Sequence, residues 1–100
     1  MSEQMERAKT IMAQMGGGRF MAMVGANQIV ATDEGVRFRV PNAKDRIKAV
    51  EVVLNAKDLY DMRWLNIRGF ECKQIAEDKD VYADQLESFF QRRTGLATRL

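Results

Sequence analysis

Histidine is missing from this sequence altogether. That removes the commonest general base, the Ser-His and Cys-His nucleophilic arrangements and most zinc sites. Cys72 is the single cysteine, so it has no thiol partner for an internal disulfide or a metal site, which agrees with a reducing compartment. Lying between Glu71 and Lys73 in an alternating stretch, it is expected to turn inward as a small core residue. Proline occurs once and the seven glycines form no low-complexity tract, so no linker or disordered tail can be marked off. No stretch approaches the roughly 18 apolar residues needed to cross a bilayer. The opening MSEQMERAKTIMAQM also lacks the basic start and apolar run of a secretion signal. A cytoplasmic protein with no membrane partner is the expectation. What remains is 100 residues, 46% hydrophobic and 30% charged, the balance of one domain over 1–100.

Periodicity organises the chain. Met5, Ala8, Met12 and Met15 recur at helical spacing, with Ser2 as the expected N-cap and Gly16 as the stop. Phe20, Ala22 and Val24 then read with period two, followed by Ile29 to Ala31 and by Val36, Phe38 and Val40. The link TDEG (32–35) offers Gly35 for a positive φ. Further strands are expected over 47–54, 60–64 and 70–74. A last helix follows from Asp80, carrying Tyr82, Leu86, Phe89 and Phe90 on one side and ending at Gly95. Acids between Glu77 and Glu87, followed by Arg92, Arg93 and Arg99, suit the dipole of such a helix. The predicted fold is α+β: an N-terminal helix, an antiparallel meander of five to six strands and a C-terminal helix, with the helices on one sheet face.

The three glycines 16–18 prompt a test for a phosphate cradle. A phosphate loop needs a strand entering the glycines and a helix leaving them, whereas here a helix enters and a strand is expected to leave. Chain reversal is the better reading. The acids Asp58, Asp61, Asp78 and Asp80 are the remaining candidates for chemistry, but their spacing assembles neither a carboxylate pair nor a calcium loop. No enzyme, cofactor or metal is expected.

The fragments GGGRFMAMVGA, LYDM (59–62), IRGF (67–70), VYADQL (81–86) and TGL (94–96) resemble a family of small proteins encoded by bacteriophages, prophages and other mobile elements. The similarity runs from Ile11 onward. It implies a genomic setting inside a bacterial host cell and carries no established activity or residue roles. By analogy, small phage proteins without catalytic groups act by occupying a surface of a host factor.

The reading is therefore a non-enzymatic protein-binding module that blocks a bacterial host or defence factor. If Phe20, Ala22 and Val24 face inward, Met21 and Met23 stand on the outer sheet face beside Val53, Leu65 and Ile67. Met21, Met23, Arg37, Arg39, Arg63 and Leu65 then form the expected partner-binding surface. Two alternatives stay open. One is nucleic-acid binding by a basic sheet face of Arg37, Arg39, Arg63 and Lys73, joined by Arg19, Lys48 and Arg68, with Tyr60, Trp64 and Phe70 expected on the buried side. The other is a homo-oligomer paired through an exposed strand edge.

Overall fold

The computed structural model describes residues 3–96. Two helices, α1 (Glu3–Met15) and α2 (Gly17–Val24), precede five strands: β1 (Asn27–Ala31), β2 (Gly35–Arg39), β3 (Ala49–Leu54), β4 (Tyr60–Arg68) and β5 (Glu71–Val81). A 3-10 turn at Ala83–Gln85 leads into α3 (Leu86–Thr94). The strands form one antiparallel sheet in chain order, β1-β2-β3-β4-β5. All three helices bury their apolar side chains in one cluster with Val36, Phe38, Val50, Val52, Met62 and Trp64 of the sheet. The expected α+β meander with helices on one face is the architecture. The proposed N-cap Ser2 and the terminal Arg99 lie outside the described residues.

The run FMAMV is a helix where period two suggested a strand. Phe20 and Val24 are four apart, so they share a helix face as readily as a strand face, and short apolar runs leave the two periods degenerate. Gly16, at φ +128°, turns the chain out of α1, and a Cβ there would sit 2.9 Å from the Cβ of Phe20. Gly25, left-handed at φ 69°, closes α2, and Ala26 N–H bonds back to the Met21 carbonyl. The glycines thus join two helices, and the expected strand leaving them is absent.

Phe20 is a hub of the core. Its ring meets Phe90 of α3 at 4.8 Å and Phe38 of β2 at 5.8 Å, both edge-to-face, and Phe90 in turn meets Trp64 of β4 at 6.2 Å. Phe20, Phe38, Val52 and Trp64 are fully buried, as the sequence led us to expect.

The β1–β2 link is closed by Thr32, whose amide donates to the Gly35 carbonyl and whose Oγ1 accepts from the Gly35 amide. Gly35 is needed for close approach and not for a positive φ, because a Cβ on it would collide with the backbone of Val52 and Val53. The β3–β4 link is built on Asn55. Its Oδ1 accepts from the amides of Lys57 and Leu59, while Asp58 takes the left-handed conformation.

Two irregularities interrupt the β4–β5 pairing, and the one at Ile75 redirects the start of β5. Trp64 pairs with Ala76 but Leu65 pairs with Gln74, so Ile75 is the extra residue. A one-residue slip exchanges sheet faces. Cys72, expected inward, therefore shares the side of Ile67, its cross-strand partner, and is exposed. Phe70, also expected inward, stands fully exposed at the turn between β4 and β5.

Asp78 anchors the C-terminal helix. Its carboxylate accepts from the Trp64 indole at 2.8 Å and from the Arg93 Nε and Nη2 at 2.9 and 3.0 Å. The acids of the 77–80 stretch consequently belong to β5. Only Glu87 stands in the first turn of α3, with Arg92 and Arg93 in its last.

Candidate functional site

The six residues expected to form one partner-binding surface are divided between two sides of the molecule. Arg37, Arg39, Arg63 and Leu65 lie on strands, on the sheet face away from the helices, whereas Met21 and Met23 belong to α2 in the helical layer. The period misread for FMAMV accounts for the error.

Nor is the outer sheet face an open display of arginines. Across four strands runs a charge ladder in which Arg37 bonds Glu51 (3.2 Å), Glu51 bonds Arg63 (3.1 Å) and Arg63 bonds Glu77 (3.1 Å). The cross-strand registers Arg37↔Glu51↔Arg63↔Glu77 dictate these contacts, opposite charges facing one another on neighbouring strands. Hydrogen bonds to Glu77 and then Glu51 raise the Arg63 pKa above the ordinary arginine value, so its charge is fixed. Arg39 reaches the Gln28 side chain, and Leu65 is only 5% exposed beneath its neighbours.

The open apolar surface lies at the other end of the strand order. The helical layer does not close over β1, and a groove of about 370 Å³ remains between α1, α2 and that strand. Met5, Ala8 and Met12 of α1, Met21 of α2, and Ile29 and Ala31 of β1 line it, with Lys9 at its rim. Ile29 and Ala31 share the helix-side face because they are two apart. Val30 points the other way, opposite Arg37. Met5, Ile29 and Val30 are 47%, 42% and 55% exposed. The α1 wall is held in place by Arg7, which donates to the Asp33 carbonyl, and by Gln4, which donates to the Asp33 carboxylate, both at 2.8 Å.

The two sheet edges differ in chemistry. β5 carries Lys73, Glu77, Asp78, Lys79 and Asp80 along its edge, the charged protection that discourages strand pairing. Among the described residues, β1 is paired with β2 alone, and it carries no charge over NQIVA. A bulge between Asn27 and Val30 shortens its regular part to the end beside the groove.

The candidate acids do not converge on a substrate position. Asp61 and Asp80 meet at the Asn55 amide, which donates to both, and Lys57 neutralises Asp80 at 3.1 Å. Asp78 is committed to Trp64 and Arg93. Among the described residues, no group of three or more Cys, Asp or Glu is placed to hold a metal ion, and no helix is long and apolar enough to cross a membrane. The groove was invisible to sequence reading because Met21 was assigned to the outer sheet face, away from Met5 and Met12 on the first helix. The signal that would have found it is the uncharged strand NQIVA beside methionine-bearing helices. Compared with protein-family models, curated proteins and solved structures, the chain shows no significant match.

Proposed function

We propose that this chain is a non-enzymatic protein-binding module whose site is the methionine-lined groove beside β1. Its occupant is an extended apolar segment of a partner protein, which adds to the free edge of β1 and sets alternate side chains into the groove. The observation that carries this reading is the coincidence of an uncharged edge strand with an apolar groove directly alongside it. An edge strand offers main-chain hydrogen bonds to an added strand, and adaptable thioethers fit alternate side chains without a preformed shape. The resemblance to proteins of phages and mobile elements supports a bacterial cytoplasmic setting, with a host or defence factor as the partner that is occluded.

Selection from a displayed library of extended peptides tests the site. Binders should shift the methyl signals of Met5, Met12 and Met21 while leaving the core Met62 still, and should be lost on Ile29→Lys or Met5→Lys. Both substitutions fall on exposed positions, so folding is retained and checked by circular dichroism. Binders that tolerate both variants would refute the assignment. A concentration-dependent dimer abolished by Ile29→Lys would instead give the edge to a second copy of the chain.

A further inference from the structure

The far end of the β4–β5 hairpin has a separate chemistry. β3 pairs with β4 only from Tyr60 to Leu65, so among the described residues 66–68 and 71–73 pair with each other alone and form a two-stranded ribbon beyond the sheet. Gly69, left-handed at φ 59°, makes the tight turn, and Phe70 at the tip is fully exposed. Arg68 and Lys73 stand on the ribbon, and Arg46 and Lys48 stand at its base. The connection from β2 to β3 is fastened there: the Asn66 amide donates to the Arg46 carbonyl at 2.7 Å, and the Lys48 amide donates to the Leu65 carbonyl at 2.8 Å. Arg46 is left-handed at φ 64° within this tie.

The charges of this end are uncompensated by contact. Arg37, Arg63, Lys57, Lys79 and Arg93 all sit in ion pairs elsewhere, whereas Arg46, Lys48, Arg68 and Lys73 make none among the described residues. The local acids are Asp45, which lines the same recess as the four cations, and Glu71, opposite Arg68. Four unpaired cations around a narrow ribbon with an aromatic tip match a phosphodiester backbone flanking a groove. A two-stranded ribbon is of the width that the DNA major groove admits. We infer that the β4–β5 ribbon binds duplex DNA, with Arg46, Lys48, Arg68 and Lys73 on phosphates and Phe70 against the bases. The site is distinct from the β1 groove and stands or falls apart from it.

Fluorescence anisotropy of the full chain with a labelled duplex tests this. Affinity should fall with salt at a log–log slope of about −3 to −4, the value for four phosphate contacts. Arg68→Ala with Lys73→Ala should weaken binding at least about tenfold and flatten that slope by about 2. Phe70→Ala should weaken binding with the slope unchanged, and Ile29→Lys should bind as the wild type does. No complex at low salt would overturn the inference. So would equal binding of polyglutamate, tighter binding of single strands than of the duplex, or indifference to the Arg68 and Lys73 changes.

Discussion

Asp78 ties three elements together through a single side chain, its carboxylate joining β5 to the Trp64 indole of β4 and to Arg93 of α3. The Arg93 hydrogen bonds hold its pKa below the ordinary 3.8. Burial opposes that shift, and the Trp64 N–H reinforces it. A carboxylate depressed in the folded state contributes stability that is fully present above its unfolded pKa and is lost as pH falls through the folded one. Asp78→Asn should therefore cost about 1.5–3 kcal/mol at neutral pH, the range for hydrogen bonds to charged groups. The gap to wild type should close on acidification below the ordinary carboxylate value, as followed by urea unfolding at several pH values. Gly35 presents the opposite case, a residue whose lack of a side chain is the requirement. Gly35→Ala should destabilise by about 3 kcal/mol or more through backbone collision with β3, measurable as a lowered Tm.

Among the elements, α2 shows why some of this fold was legible and some was not. The strands β2, β3 and β4 could be read because Arg37, Glu51 and Arg63 alternate with Phe38, Val52 and Trp64 over enough residues to fix a period. FMAMV offers five residues in which Phe20 and Val24 satisfy both periods, and only packing against Phe38 and Phe90 decides between them. Phe20→Ala should cost about 3–5 kcal/mol, because it removes the ring linking α2, β2 and α3. The same variant should leave the exposed ribbon intact. Loss of amide protection in α2 ahead of β4 and β5, seen by hydrogen exchange, would express that difference. The bulge at Ile75 was equally illegible, since it is a property of pairing and leaves no mark in the alternation of β5 alone. It set Cys72 on the side of Ile67, and the projection of the ribbon beyond β3 leaves residues on both its faces exposed.

At the level of the whole molecule, the six residues expected to form one surface do not share a face, because a surface is a property of layers and one misassigned element moved two of the six to the opposite layer. The buried side was more robust. Phe38, Val52 and Trp64 face the core whichever structure Phe20 adopts, because each lies on a strand whose register its neighbours fix. The charge ladder illustrates the same point from outside. Arg37 and Arg63 looked available in sequence, and only strand order revealed that Glu51 and Glu77 stand beside them. The resulting molecule is asymmetric along its strand order, apolar and uncharged at β1 and cationic at the ribbon.

Cys72 turns that asymmetry into a practical handle. As the sole thiol, exposed two residues from Phe70, it accepts one maleimide dye per chain without any engineered cysteine. The native polypeptide thus carries a single reporter position at its cationic end, remote in the strand order from the methionine methyls that report on β1.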